Sequence, residues 1–325
     1  MKWAAAILVL LAAAAALTHA LYRRDIQSAR ERISTGSRIA DTRCGPIEFA
    51  VAGDGLPLLV VHGAGGGFDQ GLEFAAPLAS RGFRVISVSR FGYLRTPLPA
   101  DASAAAQADA HACLLDELGI ARVAVLGASA GAPSSLQLAL RHPDRVAALV
   151  LVVPALYVPR AEDAPSIETP SGTAFLFDTA LRSDFVLWAA LRLARSTMIR
   201  AILATPPEVV ERAGADERVR VDRMLAHILP VTPRRLGLLN DAEVTSSIER
   251  YALERVEAPS LLLSAADDLF GTFEAARYTA EQIPGALFVG YPSGGHVLVG
   301  RQQELMAEVE RFVREQWAIA PDGGN

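Results

Sequence analysis

Ser129 stands in Gly127-Ala128-Ser129-Ala130-Gly131, directly after the apolar run Val123–Leu126 and directly before a helix-forming segment. A serine at a sharp strand-to-helix turn is placed for nucleophilic attack. Strain lifts its hydroxyl clear of the sheet edge, and the first N–H groups of the helix point at whatever it attacks. Side chains two residues away must be tiny, which accounts for Gly127 and Gly131. A serine hydroxyl is inert near neutral pH until a base takes its proton. His296, after Gly294-Gly295 in a loop past the last apolar strand, is the candidate base. Asp267 and Asp268 follow another apolar run, Ser260–Ala265, and are candidate acids. A glycine loop, His62-Gly63-Ala64-Gly65-Gly66-Gly67, follows Leu56–Val61 and lets backbone approach a substrate closely. It lacks both the G-x-G-x-x-G and the Gly-Lys-Ser/Thr patterns of phosphate cradles. A plain flexible turn is the other reading of this loop. His62, His111, His142 and His227 read as structural.

These groups need elements to hold them. Strands are expected over Cys44–Ala52, Leu56–Val61, Phe83–Ser89, Arg122–Leu126 and Val146–Val153. Helices are expected over Phe68–Arg81, Ala102–Leu118 and Ala132–Arg141. Continuous apolar strands alternating with helices imply right-handed crossovers and a parallel sheet covered on both faces. From Pro154 the rhythm breaks: prolines 154, 159, 165 and 170 space out a loop, and helical segments follow without a convincing strand. They cover Ser171–Ser196, Met198–Leu203, Pro207–Ala213, Ala215–Leu229 and Pro233–Ile248. Tyr157, Phe175, Phe177, Phe185, Trp188, Met198 and Met224 either line a pocket or form this insertion's own core. The sheet resumes at Ser260–Ala265, with a helix over Thr272–Gln282, a strand over Ala286–Gly290 and a last helix over Val297–Trp317.

Half of the 325 residues are apolar and the net charge is -5, which argues against nucleic acid as a partner. Cys44 and Cys113 lack metal or redox spacing; two buried free thiols are the expectation, with a disulfide left open. Trp3–Leu17 is an unbroken apolar run. It fits a membrane-spanning helix extended to Tyr22, a signal-peptide core with a small-x-small site at Thr18-His19-Ala20, or a buried helix, in that order. Arg23, Arg24, Arg30 and Arg32 after the run outweigh Lys2 before it, which favours a cytoplasmic catalytic body. Residues 1–24 are thus an anchor or signal segment, and 25–42 a connector helix.

The order serine, then aspartate after a late strand, then histidine after the last strand resembles the α/β-hydrolase superfamily. The resemblance spans about Cys44–Trp317 and rests on His62–Gly66, Gly127–Gly131, Asp267-Asp268 and Gly294-Gly295-His296. It implies a mostly parallel eight-stranded α/β sheet with a helical lid at 154–251 inserted after strand 6, and a core of 43–153 and 252–318. It implies a catalytic triad of Ser129, Asp268 and His296. Laying the family's G-x-x-D-x-x-x-P pattern over Ala265–Thr272 puts the acid on Asp268, leaving Asp267 to a turn or cap. The implied oxyanion donors are the N–H groups of Ala130 and of Ala64 or Gly65. A serine in place of an aspartate nucleophile implies acyl chemistry on a small molecule, with no metal or organic cofactor. A carboxylesterase-like hydrolase leads. An acyltransferase or perhydrolase, a C–C hydrolase and a non-catalytic ligand carrier are the alternatives.

Overall fold

The structure, a computed structural model, describes residues 2–159 and 181–319. Phe175 and Phe177 lie outside them. The seven strands expected by range and one more, β1, form one sheet: β1 (Arg38–Thr42), β2 (Gly45–Ala52), β3 (Leu56–Val61), β4 (Phe83–Val88), β5 (Val123–Ala128), β6 (Val146–Val152), β7 (Ser260–Ala265) and β8 (Leu287–Tyr291). Their order is β1-β2-β4-β3-β5-β6-β7-β8. β2 pairs antiparallel with β1 and β4; every other pairing is parallel.

Successive residues of a strand point to opposite faces, so the continuous apolar runs feed two cores at once. Leu59, Val61, Val123 and Val125 face one core with α3 (Ala104–Glu117), α4 (Ala132–Arg141) and α10 (Thr272–Gln282). Leu58, Val60, Ala124 and Leu126 face the other with α2 (Phe68–Ala79) and α11 (Gln302–Ile319). Ser103 starts α3 two residues later than expected because its hydroxyl accepts the Ala106 N–H, a side-chain cap. α11 begins at Gln302 rather than Val297: Leu298 and Gly300 have left-handed φ of 50° and 75°, which interrupts a helix.

Between β6 and β7 the described chain is helical, with α5 (Asp184–Leu193), α6 (Arg195–Ile202), α7 (Pro207–Arg212), α8 (Ala215–Ala226) and α9 (Arg235–Ser246). The residues weighed as pocket lining mostly pack elsewhere. Met198 and Met224 join a cluster with Ile199, Val221 and Val297. Phe185 and Trp188 stack on each other and meet Tyr22 edge-on. Tyr157 contacts Tyr278 of α10.

The N-terminal region needs a correction. Anchor and connector are one helix, α1 (Lys2–Ser34), and the region taken as connector helix to residue 42 is helical only to Ser34. Gly36, at φ 81°, ends it, and Arg38–Thr42 then pairs with β2 as an edge strand. The first part of α1 has the length and apolarity to cross a membrane and is not covered by the rest of the protein. Its last part packs on the insertion through Ile26 and Ala29. Asp25 accepts from the Trp188 indole at 2.9 Å and from Arg192, and Arg30 meets Asp184 at 3.3 Å.

The cysteines also depart from expectation: Cys44 and Cys113 form a disulfide, with Cα atoms 6.1 Å apart. The β1–β2 turn lies over α3, which brings residues 69 apart in sequence into bonding range. Alkylating the denatured protein should therefore add no adduct before reduction and two after it, read by intact mass.

His111 on α3 is fully buried, and neither ring nitrogen has a hydrogen-bond partner among the described residues. Burial, reinforced by the Arg90 charge, pushes its pKa down to about 3. The folded protein thus refuses a proton that the unfolded chain accepts below about pH 6.5. Stability should fall as pH drops, by about 2 kcal/mol from this residue between about pH 7.5 and 5. Urea titrations of the wild type and His111→Leu should differ by that slope.

Candidate active site

The four loops that matter leave the C-terminal ends of β3, β5, β7 and β8, the edge where open α/β sheets gather ligands. Ser129 sits immediately after β5 with φ of 50°, a left-handed conformation rare for a side-chain-bearing residue. The glycines around it are required by space. A Cβ on Gly131 would lie 2.4 Å from the Val61 carbonyl oxygen and 2.6 Å from that of His62. One on Gly127 would lie 2.3 Å from the Ser135 hydroxyl. Helix α4 therefore presses directly on the end of β3.

His296 Nε2 lies 2.9 Å from the Ser129 hydroxyl, and its Nδ1 lies 2.8 Å from Asp268 Oδ2. An ionised carboxylate only accepts, so Nδ1 carries the proton and Nε2 is free to accept from serine. Asp268 is 7% exposed. It also accepts from the Phe270 N–H at 2.9 Å and from the Thr272 hydroxyl. The Phe270 ring stands edge-on to the His296 imidazole, centroids 5.0 Å apart.

Asp267 lies in the turn after β7, as expected, and its side chain grips the loop that carries the histidine. It accepts from the Ser293 hydroxyl at 2.6 Å and from the N–H groups of Gly294 and Gly295 at 2.9 and 2.7 Å. Neighbouring aspartates thus divide the work, one holding the imidazole and the other its backbone. The family pattern G-x-x-D-x-x-x-P laid over Ala265–Thr272 pointed to Asp268; nothing in the sequence points from Asp267 to a loop 26 residues on.

The glycine loop is held from below. His62 is buried and neutral, its pKa lowered well below the usual value by burial and by the Arg90 charge. Its Nδ1 donates to the Gly63 carbonyl at 2.6 Å, and its Nε2 accepts the Arg90 N–H at 3.1 Å. The Arg90 guanidinium donates to the His62 carbonyl at 2.8 Å and grips both Asp241 oxygens at 2.6 Å. Tyr93 donates to Asp241 at 2.5 Å while accepting the Gly65 N–H at 3.1 Å. The Gly65 N–H is thereby occupied, and Ala64 beside it is exposed. Gly63 lies against Ser129, a Cβ there falling 3.1 Å from the serine Cβ. Ile228 and Leu238 of the insertion approach Gly65 from above. Sequence reasoning missed Arg90, Tyr93 and Asp241 because Asp241 lies about 150 residues from its two partners.

Gly131→Ala should cost on the order of 2 kcal/mol or more, because the clash is with backbone. Gly214→Ala, where a Cβ meets nothing within 4 Å, should cost about 1 kcal/mol or less. Denaturant midpoints of the two variants check this.

Comparison with known proteins adds the following. The family model described as alpha/beta hydrolase fold matches residues 57–300. The chain is 30% identical to the pimeloyl-[acyl-carrier protein] methyl ester esterase of Aromatoleum aromaticum over 79% of this chain and 98% of that one. It superposes on an alpha/beta hydrolase fold protein from Nakamurella multipartita with a TM-score of 0.67 and 29% identity, covering 86% of this chain and 99% of that one. A membrane phospholipase A superposes at a TM-score of 0.64 and 20% identity over 98% of this chain and 99% of the other, an alignment long enough to take in most of α1.

Proposed function

Because the chain belongs to the alpha/beta hydrolase fold family, we propose that it is a serine hydrolase that cleaves carboxylic esters or related acyl compounds through an acyl-enzyme at Ser129. The observation that carries this reading is the unbroken chain of hydrogen bonds from Asp268 through His296 to the Ser129 hydroxyl. The likeness to a methyl ester esterase supports the ester class.

In the proposed reaction Ser129 Oγ attacks the acyl carbonyl carbon as its proton passes to His296 Nε2. Asp268 keeps Nδ1 protonated, holds the ring and stabilises the imidazolium that forms. The carbonyl oxygen gains negative charge and is met by the N–H groups of Ala130 and Ala64. When the tetrahedral adduct collapses, the C–O bond to the leaving group breaks and the imidazolium returns its proton to the departing alkoxide. A water, deprotonated by the same nitrogen, then attacks the ester on Ser129; as the acyl–Oγ bond breaks, the imidazolium returns its proton to Ser129 Oγ and the acid leaves. The insertion is the lid of this site, with Ile228 and Leu238 as its apolar cover over the glycine loop.

We read α1 as a retained anchor. The Cys44–Cys113 bridge favours placing the catalytic body on an oxidising side of the membrane, against the arginine count after the apolar run.

A fluorophosphonate probe should label the wild type on Ser129, and Ser129→Ala should lose both labelling and turnover of p-nitrophenyl esters. Asp268→Asn should lower kcat by roughly 10³-fold or more, since it leaves the wrong tautomer on His296. Asp267→Asn, which loosens only the loop backbone, should cost about 10-fold. Equal losses in the two aspartate variants would refute the assignment of the acid, and a wild type that the probe never labels would refute the function.

A further inference from the structure

The glycine loop has a second support that reaches the membrane helix. Asp69, in the first turn of α2, is 6% exposed and is shared by two arginines from distant parts of the chain. Arg234, fully buried at the start of α9, donates to its two oxygens at 3.2 and 2.8 Å. Arg32, near the end of α1, donates to it at 3.0 Å. Burial by itself would raise the Asp69 carboxyl, but the two guanidinium groups, Arg234 foremost, overcome this and hold its pKa at about 2. Both arginines have further work. Arg234 also donates to the carbonyl of Gly66 in the glycine loop. Arg32 also donates to the carbonyls of His227 and Leu229, beside Ile228.

The loop is therefore gripped on both sides of the Gly65–Gly66 peptide. Tyr93 takes the Gly65 N–H, and Arg234 takes the Gly66 carbonyl. Ala64 is the residue immediately before. A small rotation of this peptide would swing the Ala64 N–H away from the developing charge, and such donors act only when their geometry is fixed beforehand. Arg32 gives Asp69 a second guanidinium partner, and it is the one member of the group carried by the apolar helix.

We infer that Arg32 is a positioning residue for the oxyanion loop, acting through Asp69 and Arg234 on Gly66, so that the membrane helix is part of the catalytic architecture as well as an anchor. The inference rests on the serine-hydrolase reading above. Severing this link leaves Ser129, His296 and Asp268 hydrogen-bonded as before, and slackens only the loop that stabilises the transition state. Its signature is a loss in kcat with KM retained.

The test uses the full chain in detergent micelles. In Arg32→Ala, kcat for a p-nitrophenyl ester should fall about 10-fold with KM within about twofold. Affinity for a trifluoromethyl ketone, whose hemiketal oxyanion occupies the loop, should fall by a similar factor. Affinity for the product acid, which forms no tetrahedral adduct, should stay within about twofold. Arg30→Ala, which removes an exposed guanidinium of the same helix that meets Asp184 rather than Asp69, should leave all of these at wild-type values. Arg32→Lys keeps the charge but not the fork, and should recover part of kcat. Wild-type kcat and ketone affinity in Arg32→Ala would overturn the inference, as would equal losses in Arg30→Ala. If Arg32→Ala does not fold, Arg32→Lys with an unchanged kcat and ketone affinity would overturn it too. Failure of the wild type to react with fluorophosphonate would instead strike the underlying reading, with the role of Arg32 falling along with it.

Discussion

The start of helix α4 approaches the end of β3 so closely that Gly131, just before the helix, has no room for a Cβ against the Val61 and His62 carbonyls. The rest of the site follows from this contact. It forces the chain leaving β5 through a left-handed residue, and that residue is Ser129. It also sets the glycine loop, which leaves β3 at the same point, beside the serine. A wider helix–strand spacing would relax the turn, lower the hydroxyl toward the sheet and carry the first helical N–H groups away from it. The strain at one residue is offset by two well-packed cores, one on each face of the sheet.

A second constraint binds the helical insertion to this frame. Two buried ion pairs, Arg90 with Asp241 and Arg234 with Asp69, cross from the core to the inserted helices. Buried pairs contribute little net stability over well-packed apolar substitutes, but breaking one strands a charge and costs several kcal/mol. Their effect here is to fix one placement of the insertion over the glycine loop. An apolar interface of the same size would tolerate sliding; forked guanidinium–carboxylate geometry does not. Specificity of placement is what a preorganised oxyanion site requires.

Much of this was legible in the sequence where the signal is local. A strand, a sharp turn and a helix around Ser129, and glycines before His296, are visible in short windows because their physics is short-ranged. Seven strands of the sheet were legible because apolar runs report burial on two faces; the edge strand Arg38–Thr42 was not. The supporting shell was not. Arg90, Tyr93, Asp241, Arg234 and Arg32 carry ordinary polar side chains whose meaning lies in partners far along the chain, and no periodicity encodes a partner. Asp267 illustrates the boundary: its position beside Asp268 was plain, its grip on the loop at Ser293–Gly295 was not. The single helix at the N-terminus was read as two because its apolar and polar halves differ in composition, while backbone continuity depends only on the absence of a breaker before Gly36.

The bridge between Cys44 and Cys113 closes a covalent ring through β2, β3, β4 and the glycine loop, leaving Ser129, Asp268 and His296 outside it. A closure of this size restricts the unfolded ensemble by about 4 kcal/mol on a chain-entropy account. The protein is thus two different polymers before and after oxidation. The same sequence held in a reducing compartment would lose its tether in the segment that carries the glycine loop, while Ser129 and His296 would keep their local geometry. Where the chain is delivered is in this sense a determinant of its stability, written into the fold by two residues.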